Sequence, residues 1–141
     1  MLRRLLPRRA PRTLGQRGET AAARHLKRLR YKIVARGTRD GLGEIDIVAV
    51  DMRDPRGPTI VFVEVKTRKS LATGHPAEAV DEDKQRRLTR AALSYLRRHG
   101  LFEYPARFDV IAITWPAETK KPTIEHIKNA FEAVGEGQMF S

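Results

Sequence analysis

Two apolar stretches of this chain carry charges in places where a buried strand tolerates few of them. "GEIDIVAV" (residues 43–50) and "TIVFVEVK" (residues 59–66) are rich in Ile and Val, which is typical of strands in the core of a sheet. The charged residues within them are Glu44, Asp46, Glu64 and Lys66. Charges in a protein core are costly unless they are paired or bind a metal. We therefore expect the two strands to meet at a site that compensates these charges.

The rest of the chain alternates between helical and strand patterns. Apolar periodicity predicts helices over residues 13–30 and 81–100. The stripe expected to face the sheet is Gly15, Gly18, Ala22, Leu26 and Leu29 in the first helix, and Leu88, Ala91, Ala92, Tyr95 and Leu96 in the second. Further strands are predicted over residues 31–36, 107–115 and 123–127, turns over 36–43 and 51–58, irregular structure over 67–79 and a short terminal helix over 128–134.

This order of elements predicts one α/β domain, a small mixed sheet flanked by helices. We expect the domain to span residues 13–134, preceded by a flexible basic arm over residues 1–12 and followed by a tail over residues 135–141. A chain of 141 residues is long enough for one such core and too short for two.

The positive charge of the chain is concentrated in its N-terminal part. The net charge is +11, and residues 1–39 hold 13 Lys/Arg against the single acid Glu19, whereas the other 102 residues hold 15 basic and 16 acidic side chains. One-sided positive charge is typical of proteins that bind a nucleic-acid backbone, and we place this above a solubilising tail or a membrane-surface anchor. The candidate phosphate contacts are Arg17, Arg24, Arg36, Arg39, Arg68, Lys69, Lys84 and Arg87.

The composition excludes several other classes of protein. The chain has no cysteine, so it forms neither a disulfide framework nor a thiolate metal site. No apolar run approaches the about 20 residues that span a bilayer. The start, "MLRRLLPRRAPRTLGQRG", lacks the apolar central region and the small-residue cleavage site of a secretory signal. We expect a cytoplasmic protein.

The charges on the two strands suit a site for a divalent cation. Side chains alternate across a strand, so Glu64 and Lys66 share a face about 6.6 Å apart, and Glu44 and Asp46 share a face of their own strand. If the strands pair as a hairpin, Asp46 and Glu64 lie side by side. Two carboxylates at a strand end are suitable ligands for Mg²⁺, which keeps positions for water and phosphate. Lys66 would stabilise charge on phosphorus or help to position the attacking water.

Five motifs occur in this chain in the order in which a known family has them: "GQRGETAA", "GEIDIVAV", "VFVEVKTR", "DKQRR" and "RFDVIAI". Over about residues 13–131 the sequence resembles the YraN-type family of uncharacterised bacterial proteins. That family in turn resembles archaeal Holliday-junction resolvases and the restriction-endonuclease-like PD-(D/E)XK nucleases. The resemblance implies a restriction-endonuclease-like fold, with Glu19 as the acid of the first helix. It also implies Asp46 and Glu64 as metal ligands and Lys66 as the catalytic lysine. One departure is Ile45, where many of these nucleases have proline.

Some of the polar residues also have a structural interpretation. We expect Glu44 to start its strand or to form a salt bridge, and Asp109 to pair with an arginine. Lys84 and Gln85 either reach the site or the DNA backbone, or act as capping and surface residues. Arg68 and Lys69 either contact phosphate or lie in a solvated loop. His25, His75, His99 and His126 are scattered along the chain and show no ligand pattern. We expect Tyr95 and Trp115 in the core.

These features predict a Mg²⁺- or Mn²⁺-dependent DNA endonuclease, with Asp46 and Glu64 binding the metal and Glu19 completing the metal's ligands directly or through water. A branched DNA substrate and a homodimer follow only from the resemblance to resolvases. The alternative is a nucleic-acid-binding protein that keeps the nuclease-like fold without chemistry. A third hypothesis is an adaptor whose basic face docks an acidic protein.

Overall fold

The chain folds into a five-stranded mixed sheet with one helix on each face. The structure, a computed structural model, describes residues 12–40, 43–70, 80–116 and 121–135. Its elements are α1 (Leu14–Arg28), β1 (Lys32–Asp40), β2 (Gly43–Asp51), β3 (Thr59–Arg68), α2 (Glu82–His99), β4 (Ala106–Thr114) and β5 (Thr123–Phe131). The strands lie in the order β1-β2-β3-β4-β5, and every neighbouring pair is antiparallel except β3 and β4, which are parallel. The predicted α/β class is confirmed.

Both long helices begin directly after a capping residue at the predicted start, whereas α1 ends two residues before the predicted Arg30. Thr13 caps α1 in a capping box with Gln16, and Asp81 caps α2 by accepting a hydrogen bond from the backbone N–H of Lys84 at 2.8 Å. Gly100 ends α2 in the left-handed conformation, with φ 62°, that glycine adopts without strain. Neither helix in the described part of the chain has the length and apolar character needed to cross a membrane.

The two helices cover opposite faces of the sheet because strand residues alternate in direction. In β3, Val61 and Val63 belong to the core under α1, whereas Ile60 and Phe62 belong to the core under α2. The α2 core is completed by the predicted face of that helix, Leu88, Ala91, Ala92, Tyr95 and Leu96. The next residue along the α2 face of β3 is Glu64, so the N-terminal part of α2 lies above this carboxylate.

Helix α1 lies unusually close to the sheet at one residue. Gly18, Ala22 and Leu26 are buried as predicted, whereas Gly15 and Leu29 are exposed, so the predicted stripe was too long at both ends. A Cβ atom on Gly18 would lie 1.9 Å from Oγ1 and 2.9 Å from Cβ of Thr67 in β3. Only glycine permits this approach between α1 and β3.

Three predicted boundaries are wrong. Residues 36–40, expected in a turn, continue β1, and Gly37 accommodates the bend with φ 58° inside the strand. Residues 128–131, expected in a helix, belong to β5, where Phe131 stacks on Phe108 with ring centroids 4.6 Å apart. Residues 67 and 68, expected to be irregular, extend β3. The expectations for residues 1–11, 71–79 and 136–141 lie outside the described residues.

A buried arginine organises the end of the sheet at which β4 begins. Arg107 donates from Nε to Asp109 at 2.9 Å, from Nη1 to Asp51 at 2.8 Å and Asp54 at 2.9 Å, and from Nη2 to the Tyr31 hydroxyl at 2.7 Å. The predicted pairing of Asp109 with an arginine is confirmed. Burial raises the pKa of Asp109 and of Asp51, but their hydrogen bonds outweigh it and leave both pKa values below the ordinary range.

The same network includes two histidines that are distant in sequence. His126 contacts Asp109 Oδ2 through Nε2 at 2.8 Å, and its Nδ1 lies 3.2 Å from Nε2 of His25 on α1. Asn129, in β5 with φ 50°, donates its backbone N–H to Asp109 Oδ1 at 3.0 Å. This link between α1, β4 and β5 has a structural role, because its polar groups are satisfied within the protein.

The close contact between α1 and β3 can be tested with two glycines of the same helix. We expect Gly18→Ala to lower the free energy of unfolding by about 1–3 kcal/mol, because α1 or Thr67 must move to accept the methyl group. Gly15→Ala is the matched control. Its Cβ would meet Thr13 Oγ1 at 3.9 Å, an ordinary contact, and alanine favours a helix by up to about 1 kcal/mol.

Urea unfolding of the two variants provides the measurement. Thr67→Ala should recover part of the stability lost in Gly18→Ala, since it removes two of the three clashing atoms. Equal stabilities of Gly18→Ala and Gly15→Ala would contradict the close approach.

Candidate functional site

The register between β2 and β3 brings Asp46 and Glu64 together. The antiparallel pairing runs from Asp51 opposite Thr59 to Ile47 opposite Val63, so the next positions along the two strands are Asp46 and Glu64. The backbone N–H of Val65 donates to Asp46 Oδ2 at 2.8 Å and holds this carboxylate against β3. The hairpin that the sequence predicted is present, and both acids lie at the same end of the sheet.

The position of Asp46 is unfavourable for a negative charge. Burial, and then the charge of Glu64, raise the pKa of Asp46 to about 7, although the hydrogen bond from Val65 acts in the opposite direction. The charge of Glu19 contributes a smaller increase. Near neutral pH, Asp46 is therefore divided between its protonated and ionised forms. A strongly perturbed carboxyl group in a cleft is typical of a functional site.

Two lysines compensate the second carboxylate. Lys84 Nζ lies 2.6 Å from Glu64 Oε1, and Lys66 Nζ lies 3.5 Å from the same oxygen. Burial alone would lower the pKa of Lys84, but its hydrogen bond to Glu64 raises it above the ordinary value. Burial and the neighbouring Lys84 lower the pKa of Lys66. Of the alternatives left open for these two residues, Lys84 contacts Glu64, whereas Gln85 donates its side-chain amide to the Val80 carbonyl, just before α2, at 2.9 Å.

The two carboxylates open into a cavity between β2, β3 and the start of α2. Its volume is about 230 Å³, and it is lined by Gly43, Glu44, Asp46, Glu64, Lys84, Arg87 and Leu88. A water molecule takes about 30 Å³ of liquid volume, so several waters or an ion with its water shell have room there. Arg87 adds a second cation from α2, which makes the entrance suitable for an anion.

Of the other predicted site residues, Glu44 lines this cavity, whereas Glu19 lies on α1 and is not part of the lining. Glu19 pairs with Arg36 at 3.4 Å and acts on Asp46 only through its charge. Glu44 forms the expected salt bridge, with Arg39 at 3.5 Å, and the side chains of both residues are exposed to solvent. Exposed pairs of this kind contribute at most about 1 kcal/mol, so Arg39 remains available for a substrate.

The remaining predicted phosphate contacts differ in how they are held. The guanidinium of Arg17 lies 4.1 Å from the ring centroid of Trp115, which is partly buried and packs against the core under α1. Arg68 donates to the Thr114 hydroxyl at 3.2 Å from the end of β3. Arg24 and Lys69 are exposed. Arg17 and Arg24 lie on α1 and Lys84 and Arg87 lie on α2, so the predicted phosphate contacts are on both faces of the sheet.

Comparison with known proteins identifies the family. The model of "Uncharacterised protein family UPF0102" matches residues 18–113, which include both strands of the site and all of α2. The chain belongs to this family. A UPF0102 protein of Rhodopirellula baltica is 51% identical over 123 residues, covering 86% of this chain and 72% of the relative. One from Geobacter sulfurreducens is 53% identical over 119 residues (84% and 88%), and one from Chlorobaculum tepidum is 47% identical over 126 residues (86% and 94%).

Membership of the UPF0102 family confirms the YraN-type assignment made from the five motifs. The names of these relatives state the family alone, so the resemblance to nucleases stays a prediction. Beyond the family name, the structure of this UPF0102 chain gives the arrangement of the side chains at the end of β2 and β3.

The donor chemistry of the cavity fits a hard divalent cation. Within the four described stretches, no group of three or more His, Asp or Glu side chains is arranged so that it could hold a metal ion. The pair Asp46 and Glu64 can still hold Mg²⁺ or Mn²⁺, because Mg²⁺ is commonly bound through one or two carboxylates and keeps several waters. Burial and the charge of Glu64 raise the pKa of Asp46 more than the Val65 hydrogen bond and the charge of Lys84 lower it.

The sequence did not predict the ion pair between Lys84 and Glu64. A lysine in the first turn of a helix gives no sequence signal of its own, and its role depends on which strand residue lies under the helix. The contact between His25 and His126 was also missed, because the residues are 101 positions apart.

The raised pKa of Asp46 has a consequence for stability that Asp46→Asn tests. Between about pH 4 and pH 7 the native carboxyl group holds a proton that the unfolded chain has released, so wild-type stability falls as the pH rises through this range. Asparagine has no ionisable carboxyl group, so the variant lacks this fall in stability. In EDTA, the free energy of unfolding of Asp46→Asn minus that of the wild type should increase from about pH 4 to pH 7 and then level off.

Asp54→Asn serves as the control for this series. Hydrogen bonds from Arg56 and Arg107 outweigh burial and lower the pKa of Asp54 to about 2, so its stabilising charge is complete above about pH 4. Urea unfolding should therefore show Asp54→Asn less stable than the wild type by a constant amount across the same range. A constant difference for Asp46→Asn as well would contradict the raised pKa.

Proposed function

We propose that this member of the family is a Mg²⁺- or Mn²⁺-dependent endonuclease that hydrolyses phosphodiester bonds in DNA. The observation that supports it is the convergence of Asp46 and Glu64 at the end of two paired strands, in a cavity where the pKa of Asp46 is raised to about 7. A buried pair of carboxylates is stabilised by a cation, and a cation at the end of a sheet beside exposed basic groups is suited to phosphate chemistry.

The residues of the cavity have distinct tasks in this proposal. Asp46 and Glu64 would hold the metal, which when bound lowers the pKa of water and neutralises charge on a phosphate. The Val65 N–H fixes the orientation of Asp46. Lys66, whose side chain is 27% exposed beside the buried Glu64, is placed to donate to the scissile phosphate. Glu19 acts through its charge or through water.

The substrate is a polyanion in this proposal because the chain carries +11 overall, with the excess in residues 1–39. Contacts from exposed cations such as Arg24, Lys69 and Arg87 give affinity without reading sequence, since phosphates carry no sequence information. Branched DNA as the preferred substrate, and two copies cutting symmetrically, extend the proposal through the resemblance to resolvases. We place the protein in the cytoplasm.

A nucleic-acid-binding protein without chemistry is the second candidate, and one contact favours it. Lys84 and Lys66 already neutralise Glu64 at 2.6 and 3.5 Å, so the pair of carboxylates is partly compensated without a metal. This candidate requires binding to DNA or RNA that weakens steeply with salt, and it requires that no divalent-dependent product forms.

Cutting assays on defined DNA separate the two candidates. Purified protein is incubated with labelled four-way junction, flap, duplex and single-stranded DNA in Mg²⁺, Mn²⁺ or EDTA. We expect product only with a divalent ion, and a loss of more than about a hundredfold in Asp46→Ala and in Lys66→Ala, with DNA binding by Asp46→Ala intact.

Glu44→Gln is the matched control, because Glu44 lines the same cavity but pairs with Arg39 at the surface. It should cut within about twofold of the wild type. Product that persists in Asp46→Ala or in EDTA would refute the site assignment. Tight, salt-sensitive binding with no product in any metal would support the second candidate.

A further inference from the structure

We propose that Lys84 is an internal counter-ion that occupies the cation site on Glu64, and that it transfers to a substrate phosphate when a divalent ion binds. This inference rests on the proposed function, because it requires Asp46 and Glu64 to bind a metal. It assigns to Lys84 a role that differs from that of a general DNA-backbone contact.

The contact between Lys84 and Glu64 is the shortest ion pair of the cavity. Lys84 Nζ lies 2.6 Å from Glu64 Oε1, compared with 3.5 Å for Lys66. The backbone of Lys84 is fixed in the first turn of α2, where its N–H donates to the Asp81 cap at 2.8 Å. Its side chain is 31% exposed, whereas that of Glu64 is 7% exposed. The carboxylate is therefore held in place, and the ammonium is the partner that can move.

A divalent ion and the Lys84 ammonium would compete for the Glu64 carboxylate. Lys84 already pairs with this carboxylate, and two cations at one carboxylate repel each other strongly in a partly buried site. The ion carries twice the charge and also gains Asp46, so it displaces the ammonium. Removal of the Lys84 charge should therefore strengthen metal binding.

The charge balance of the cavity indicates where the ammonium goes. When Asp46 is ionised, the two carboxylates of Asp46 and Glu64 balance the two ammonium groups of Lys66 and Lys84. A divalent ion leaves the cavity with two excess positive charges. A phosphodiester brings the missing negative charge, so metal and DNA should strengthen each other's binding.

The geometry of α2 gives Lys84 a partner for that phosphate. Arg87 is three residues further along, on the same face of the helix, and both side chains line the cavity. An ammonium released from Glu64 remains next to Arg87 at the cavity entrance. Together the two cations form a phosphate-binding pair directly beside the cation site.

Manganese titration of the full-length protein, followed by the electron paramagnetic resonance of free Mn²⁺, tests this exchange. Lys84→Gln should bind Mn²⁺ about tenfold more tightly than the wild type, while its cutting of the preferred DNA at saturating Mn²⁺ should fall at least about tenfold. A lysine with a merely structural role would not move these two quantities in opposite directions.

Two further variants separate charge from packing. Lys84→Arg keeps the counter-charge and should bind Mn²⁺ like the wild type. Lys32→Gln removes the same charge from an exposed residue of β1, which pairs with Val50 at the opposite end of the sheet, and should change Mn²⁺ affinity less than about twofold.

The outcomes distinguish the exchange from the metal site itself. If Mn²⁺ binding is lost in Asp46→Asn but is equal in the wild type and Lys84→Gln, the metal site stands and the exchange is refuted. If the wild type, Lys84→Gln and Asp46→Asn all fail to bind Mn²⁺, the proposed function is refuted together with the exchange. Tighter binding in Lys84→Gln, with Lys84→Arg unchanged, supports both.

Discussion

The structure depends most on how the protein compensates two carboxylates buried at the end of one pair of strands. The register of β2 and β3 places Asp46 beside Glu64, and that register is fixed by the apolar residues that follow Asp46 in β2 and precede Glu64 in β3. A shift of one strand by one residue would exchange the side chains that its two faces present to the two cores. The fold therefore cannot relieve the repulsion between the two acids by sliding the strands, and it must supply positive charge instead.

The two ends of the sheet show two solutions to the burial of aspartate. At one end, Arg107 donates to Asp51, Asp54 and Asp109, and the pKa values of all three lie below the ordinary range. At the other end, the pKa of Asp46 is raised to about 7. The first arrangement is complete within the protein and stabilises the fold. The second is incomplete at Asp46, which is the expected condition of a site that binds a cation.

The parallel connection from β3 to β4 determines what lies above the incomplete site. Because Glu64 shares its face of β3 with Phe62, it points towards α2, whose Leu88 packs into the same core. The first turn of α2 then lies over the carboxylate and brings Lys84 to it. The same packing gives the protein its stability and sets the charge of the cavity, so the two properties cannot be varied independently at this helix.

Much of this arrangement is predictable from sequence, and the exceptions have physical causes. Side chains alternate strictly along a strand, and this period can be read locally from the sequence. If the two strands pair as a hairpin, it predicts that Asp46 and Glu64 meet. The end of β5 was predicted as a helix, and the stacking of Phe131 on Phe108 overrides that local preference. The contact of Lys84 with Glu64 depends on the packing of a helix on a strand, for which no short-range signal exists.

The most direct test of the central claim is a ¹³C NMR titration of the Asp46 carboxyl group, with and without Mg²⁺, assigned by comparison with Asp46→Asn. In EDTA the pKa should lie at about 7. Excess Mg²⁺ should lower it towards the ordinary aspartate range of about 4, because the cation stabilises the ionised form. A pKa near 4 in EDTA, or a raised pKa that Mg²⁺ leaves unchanged, would contradict the claim that Asp46 and Glu64 form a cation site.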